Sequence, residues 1–325
     1  MMLEIGKLKI DPPVILSSLS GISDLAFRTI SRRFGCPFAF YEMFDYNSIL
    51  RKNKRTFEIQ MKTNDTDKPL GAQLLGNDPE ALLETALVLQ EKGIDLIDIN
   101  SACPVKKVLK RKCGAYLLKD THVFGLIIKK LANGLRIPVS VKIRTGSYTA
   151  NKSINALEVS KIAEGSGAKA IFIHGRTAEQ KYNGQVSYET ISAVKKAVKI
   201  PVIASGDIFS GPSAKKMFDE TGCDGILVAR GALGNPWIFS EIKHYLEKGT
   251  VLPPPTMEEI KNVSIDHLKM SVELHDERIG IYRMRKLFCR YFSNFPGAKH
   301  IRTELTKLTT VKDIMDFLIY ELMLP

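Results

Sequence analysis

No stretch of this 325-residue sequence reaches the ~20 consecutive apolar residues that a membrane-spanning helix needs. Its opening, Met1-Met2-Leu3-Glu4, has neither a basic n-region nor an apolar h-region, so no export signal and a cytoplasmic location are expected. The five cysteines, Cys36, Cys103, Cys113, Cys223 and Cys289, form no CxxC and no regular framework, which is how a reduced protein uses them. Scattered histidines give no metal-ligand spacing, and no metal is expected. Acid is scarce relative to base: 35 Asp and Glu face 47 Lys and Arg, a net charge of +12. That surplus favours a polyanionic partner and salt-sensitive association. A membrane surface fits less well, because the basic residues are not gathered on a long helix with a wide apolar face. Nothing demands a dimer, and a monomer is expected.

What is present is a repeated unit. With 44% hydrophobic residues the chain has a sizeable core, in one large domain plus a smaller one. Short apolar runs recur at Val14 to Leu19, Phe38 to Met43, Leu70 to Leu75, Leu96 to Ala102, Pro138 to Arg144, Ala170 to Gly175, Pro201 to Gly206 and Gly225 to Gly231. Helical patterns separate them, such as Asp24 to Phe34, Pro79 to Lys92 and Tyr188 to Lys199. Asn77-Asp78-Pro79-Glu80 has the composition of a helix start, and Gly93 and Gly167 are helix stops. Strands apolar on both faces and separated by helices predict a parallel sheet. Eight such units in about 240 residues predict an α/β fold, the (β/α)8 TIM barrel. A doubly wound open sheet is the alternative, but no GxGxxG opens the first unit.

Barrel sites are built at the C-terminal ends of the strands. Here those ends carry Ser18-Leu19-Ser20-Gly21, Glu42, Gln73, Asn100 with Cys103, Lys142 with Arg144, His174 with Arg176, Ser205-Gly206-Asp207 and Ala229-Arg230-Gly231. The glycine-bearing turns of the last two strands fall where barrels commonly hold a phosphate; with Arg230 beside them, a phosphate-bearing cofactor explains them better than turn chemistry alone. Lys142 and Arg144 alternate with Val141 and Ile143 and so share a face; inside a barrel, two such cations need an anion. Glu42 is open between a site role and a structural partner for a cation. Cys103 follows the apolar run Ile94 to Ile99 and precedes the basic cluster Lys106, Lys107, Lys110, Arg111 and Lys112. Such a thiol suits a nucleophile or acid acting on an anionic substrate, with the basic loop gripping phosphates. A small buried cysteine above a solvated charge run is the plain alternative.

Val251-Leu-Pro-Pro-Pro-Thr256 is a stiff, helix-breaking linker, which divides the chain into a barrel over 1–248 and a helical-bundle domain over 249–325. In the tail, Arg283, Lys286 and Arg290 fall at i, i+3 and i+7 on one helical face, a basic stripe suited to nucleic acid or to plain solvation.

Taken in order, Ser20-Gly-Ile-Ser-Asp24, Asn100 to Pro104 with Lys106-Lys-Val108, Gly114-Ala-Tyr-Leu-Leu118, Lys142-Ile-Arg-Thr-Gly146, His174-Gly-Arg-Thr177, Ser205-Gly-Asp207 and Asn235-Pro-Trp-Ile-Phe239 resemble the tRNA-dihydrouridine synthases, most closely their bacterial B-type branch. The resemblance covers essentially the whole barrel. It implies an FMN-dependent oxidoreductase that saturates the C5=C6 bond of particular uridines in tRNA with NADPH. Ser18, Leu19 and Ser20 would line the flavin, Gln73 would meet its ring edge, and Lys142 and His174 would lie beside it. Ser205, Gly206, Asp207, Ala229 and Arg230 would bind its phosphate and ribityl chain. Hydride would pass from flavin N5 to uracil C6, and Cys103, kept mainly as a neutral thiol, would supply the proton at C5. Asn100 would hydrogen-bond a base taken out of its stack. Lys107, Arg144, Arg176, Arg283, Lys286 and Arg290 are the candidate substrate-binding cations. Two positions depart from the family pattern: Ser18-Leu19-Ser20-Gly21 replaces Pro-Met-Ala-Gly, and Ala102 replaces glycine. A small-molecule flavin reductase on the same barrel, of dihydropyrimidine or enone type, is the alternative function, but it has no need of the basic helix or the lysine-rich loop.

Overall fold

The structure, a computed structural model, describes residues 2–146, 155–293 and 297–321. The chain opens with an antiparallel hairpin, β1 (Leu3–Ile5) and β2 (Leu8–Ile10). Eight strands then form the closed parallel sheet: β3 (Val14–Leu16), β4 (Phe38–Phe40), β6 (Leu70–Leu75), β7 (Leu96–Asn100), β8 (Val139–Arg144), β9 (Ala170–His174), β10 (Val202–Ser205) and β11 (Gly225–Val228). Pairing of β4 with β6 and of β11 with β3 closes the cylinder, and the two-residue β5 (Phe44–Asp45) extends β6 on one side. This is the expected (β/α)8 barrel.

Helices α1 (Leu25–Arg33), α2 (Tyr46–Leu50), α3 (Pro79–Glu91), α4 (Lys106–Lys110), α5 (Thr121–Gly134), α6 (Ala156–Gly165), α7 (Tyr188–Ala197), α8 (Gly211–Thr221) and α9 (Ile238–Lys248) follow the strands. Local chemistry sets their ends. Asp78 caps α3 by accepting from the Glu80 and Ala81 amides, with Pro79 in the first turn. Gly93 and Gly167, at φ 78° and 103°, turn the chain out of α3 and α6 in a conformation that glycine adopts freely. Most of the strands are shorter than the apolar runs suggest. Beyond the assigned strands, Ser18 and Leu19, Met43, and Ala229 to Gly231 line the mouth of the barrel.

Alternation along the strands divides the core. Residues such as Ile97, Ile99, Val141 and Ile143 face the helices, whereas Leu96, Phe172, Ile203 and Leu227 fill the barrel with Phe38 and Phe40. Phe40 packs edge-on against Phe38 and Phe172, with ring centroids 5.4 and 5.5 Å away. A Cβ at Gly71 would lie 2.4 Å from the Phe40 ring, so only glycine fits that strand position. Leu3, Ile5 and Ile10 of the hairpin join this cluster and are buried, plugging the N-terminal end of the barrel. The C-terminal half of the interior is polar.

After Gly249 and a segment without regular structure, α10 (Met257–His275), α11 (Glu277–Tyr291), α12 (Ala298–Lys307) and α13 (Val311–Asp316) pack together. The core runs without a break from these helices into the barrel, through Leu268, Met284 and Phe288 to Phe27 and Ile238. All five cysteines are free thiols. No helix among the described residues is long and apolar enough to cross a membrane, and no cluster of metal-ligating side chains occurs among them.

Candidate active site

A cavity of about 830 Å³ opens at the C-terminal end of the strands. Ser18, Leu19, Ser20, Gln73, Lys142, His174, Ser205, Gly206, Asp207, Ala229 and Arg230 all line it, as do Asn100, Cys103 and Arg144. Lys286 and Arg290 reach it from α11, although the helical tail is far away in sequence. Lys106 and Lys181 line it too, and Asp207 is the one carboxylate in the lining among the described residues.

Charge and burial set the chemistry of the floor. Burial, then the neighbouring Arg144, lowers Lys142 to about 8, partly offset by Asp98 and Cys103. Burial and the charges of Lys142, Arg144, Arg176 and Arg230 push His174 down to about 2, so its imidazole is neutral. Asp98, on the interior face of β7, is driven up to about 6 by burial, against hydrogen bonds from Gln73 and Ser140 and the charge of Lys142. From the sequence, an anion is expected to serve Lys142 and Arg144, with Glu42 as a candidate partner; the protein supplies one for Lys142 in Asp98. Its signal was available: a carboxylate in the middle of Leu96-Ile-Asp-Ile-Asn100, in phase with Asn100.

Asn100 is committed to the protein. Its amide donates to Gln73 Oε1 at 2.7 Å and lies 3.2 Å from Met43 Sδ, while its Oδ1 accepts from the Ala102 and Cys103 amides at 3.1 and 2.9 Å. Arg144 braces the same turn from the other side. Its Nε donates to the Ala102 carbonyl at 2.9 Å, and an Nη donates to the Thr177 and Lys181 carbonyls. The methyl of Ala102 is therefore accommodated in a turn whose N–H and C=O are both bonded. Cys103 is half-buried and faces the cavity.

Three expected substrate cations stand elsewhere. Arg176 is buried behind the wall, with all three nitrogens donating to Asp207 or to the Asn183 and Gly184 carbonyls, so it is an internal brace. Arg283 donates to Asp24 Oδ2 at 3.0 Å and to Glu42, tying α11 to the first barrel loop. Glu42 thus serves as a structural partner, and its other oxygen accepts from the Gly21 amide at 2.7 Å. Lys107 is exposed on α4, outside the cavity.

The donors left over fit a flat group bearing a phosphate. Ser18 Oγ and His174 Nδ1 are buried without a hydrogen-bond partner, an arrangement that costs free energy unless a ligand completes it. A Cβ at Gly231 would lie 2.1 Å from the Ile208 carbonyl, so the last two strand-end turns approach each other through bare backbone. Between them Arg230 donates to Asp207 at 2.7 Å, and its guanidinium lies 4.5 Å from the centroid of the exposed Tyr182 ring and 5.5 Å from that of Phe209. Tyr182 and Phe209 lie in loops beyond the strand ends, where no strand pattern marks them.

Comparison with known proteins agrees with this architecture. The model of the dihydrouridine synthase family matches residues 15–321. The chain belongs to the dihydrouridine synthase family. It is 36% identical over 304 residues to tRNA-dihydrouridine synthase B of Pseudomonas aeruginosa, covering 94% of this chain and 91% of that one. It is 35% identical over 316 residues to tRNA-dihydrouridine synthase B of Vibrio cholerae, with 97% of both chains covered. A probable tRNA-dihydrouridine synthase of Rickettsia bellii is 35% identical over 301 residues, covering 93% of this chain and 92% of that one. The family match spans both the barrel and the helical tail.

Proposed function

We propose that this dihydrouridine synthase reduces the C5=C6 bond of uridines in tRNA, with FMN as cofactor and NADPH as reductant. One observation carries the reading: a half-buried thiol, two orphaned buried hydrogen-bonding atoms and a lysine share one cation-lined cavity at the barrel mouth. The names of the relatives supply the RNA substrate.

In this reading Ser18, Leu19, Ser20, Gln73, Lys142 and His174 hold the flavin ring, with Ser18 Oγ and His174 Nδ1 finding their partners on it. Ser205, Gly206, Ala229 and Arg230 hold the ribityl phosphate, while Asp207 aims Arg230. Bound FMN supplies hydride to C6 of the uracil. Cys103 delivers its thiol proton to C5, and Asn100 keeps the thiol-bearing turn in place. A neutral His174 adds no further positive charge to the crowded floor, and Lys142 favours negative charge on the ring beside it. Lys286 and Arg290, with Lys106 and Lys107, meet RNA phosphates at the rim.

The test is anaerobic. The flavoprotein is reduced with NADPH, and its absorbance is followed after addition of tRNA lacking dihydrouridine. Rapid reoxidation by tRNA, but not by free uracil, is expected. A reduced flavin that ignores tRNA would overturn the substrate assignment in favour of a small-molecule reductase, and a protein that binds no flavin would overturn the cofactor assignment.

A further inference from the structure

Asp98 is fully buried on β7, and both its oxygens are used. Oδ1 accepts from Ser140 Oγ at 2.8 Å and Oδ2 from Gln73 Nε2 at 2.7 Å. Beyond Gln73 the bonds continue in one direction: Gln73 Oε1 accepts from Asn100 Nδ2, and Asn100 Oδ1 accepts from the Ala102 and Cys103 amides. Each carboxamide could turn by half a revolution with almost no change of shape, exchanging its donor and acceptor ends. Only an ionised carboxylate is purely an acceptor, so it forces Gln73 to present its NH2 inward and its C=O to Asn100. Asn100 must then present its own C=O to the turn. Reversed, the Asn100 NH2 would face two backbone N–H groups, donor against donor.

We infer that Asp98 is the positioning residue for Cys103: its charge sets the polarity of the Gln73–Asn100 relay, and the relay holds the Ala102–Cys103 turn over the cavity. The inference rests on the proposed role of Cys103 as proton donor. The turn is fixed elsewhere by groups that cannot reverse. Arg144 holds the Ala102 carbonyl, and the Ala115 amide donates to the Cys103 carbonyl at 3.0 Å. Of these three supports, Asn100 alone could reverse, and the preference set by the two backbone N–H groups it faces gains from a second group that holds its direction. Asp98 does this from inside the barrel, without lining the cavity itself.

Hydrogen exchange at the Ala102 and Cys103 amides, measured on the flavin-loaded protein, reads the relay directly. Asp98→Asn removes the pure acceptor, and exchange at both amides is expected to quicken about tenfold or more, the weight of one charge-assisted hydrogen bond. The kcat for tRNA should fall while KM for tRNA holds. Asp98→Asn combined with Gln73→Glu moves the pure acceptor one place along the relay. The introduced carboxylate would accept from the introduced carboxamide on one side and from Asn100 on the other, and amide protection should return. Protection is the readout for this pair because Gln73 also faces the proposed flavin site. Ser140→Ala leaves the relay intact and should leave protection unchanged. Wild-type protection in Asp98→Asn, or no recovery in the double variant, would overturn the inference. If Asp98→Asn does not fold, the double variant decides alone, since it keeps one buried carboxylate: wild-type protection upholds the relay and reduced protection overturns it. Failure of the wild-type protein to reduce uridine in tRNA would sink the functional reading while the exchange data still decide the relay.

Discussion

Cys103 sits in a turn that the rest of the site holds still. Its amide is accepted by Asn100, its carbonyl is bonded by Ala115, and the preceding carbonyl is braced by Arg144. Replacing the thiol should therefore leave the turn, the cavity and, on the proposed function, the flavin in place. Cys103→Ala is expected to keep flavin binding and reduction by NADPH but to slow single-turnover reduction of tRNA by about 100-fold or more, the weight of a positioned acid. Unchanged turnover would remove Cys103 from the acid role. At this scale the sequence was informative where chemistry-bearing residues end strands. Cys103, Lys142, His174 and Arg230 could be placed because barrel geometry brings strand ends together. Asn100 was legible as a site residue but not as an internal brace, since that depends on which neighbour takes each end of its carboxamide. Asp98 was legible as a carboxylate in phase with Asn100 inside an apolar strand, but which side chains it would meet was not.

At the scale of elements, α11 shows how spacing can be right and a role different. Arg283, Lys286 and Arg290 do share a face, but the face meets two environments. Lys286 and Arg290 reach the cavity rim, whereas the Arg283 side chain, 12% exposed, lies between Asp24 and Glu42. Those partners are 259 and 241 residues away in sequence, beyond any local pattern. Asp24 also caps α1 through the Phe27 amide and accepts from His275 at 2.9 Å, so three helices converge on one carboxylate. Arg283→Ala should thus cost about 3–5 kcal/mol of stability, the range for breaking a buried ion pair. Lys286→Ala with Arg290→Ala should leave stability nearly unchanged but weaken tRNA binding. The salt slope of binding should fall by about 1 for each phosphate no longer held. Urea unfolding and salt-titrated binding of the two variants separate these effects. A stable Arg283→Ala protein with weakened tRNA binding would return Arg283 to the RNA surface.

At the scale of the whole molecule, the barrel could be counted from its eight apolar runs, and the helical tail from the breaking linker. The hairpin that plugs the barrel could not, because three-residue strands carry too little pattern to stand out. Nor could the continuity of the core across the linker, where His267 of α10 packs against Phe27 of α1 and Tyr291 of α11, with its Nδ1 3.0 Å from the Tyr291 hydroxyl. Burial, slightly opposed by the charge of Asp24, pushes this imidazole down to about 4. The folded protein therefore keeps His267 neutral at pH values where the unfolded chain takes up a proton. Its contribution is complete above the unfolded value of 6.5 and is lost as the pH falls towards 4. Between pH 7 and pH 5 this amounts to about 2 kcal/mol. Chemical denaturation at the two pH values should show a smaller loss for His267→Gln than for the wild type. An equal loss would mean that the imidazole titrates normally.

The plugged end of the barrel has a consequence for the order of events. Among the described residues, Leu3, Ile5 and Ile10, with the three phenylalanines above them, close the N-terminal end of the reaction chamber and leave the mouth at the other end as its doorway. On the proposed function, electron donor and RNA would both enter through that doorway to reach the flavin that the cavity would hold. They would take turns, with the first visitor gone before the second can settle. The flavin is then a store of reducing equivalents between two visits rather than a bridge joining two molecules bound at once.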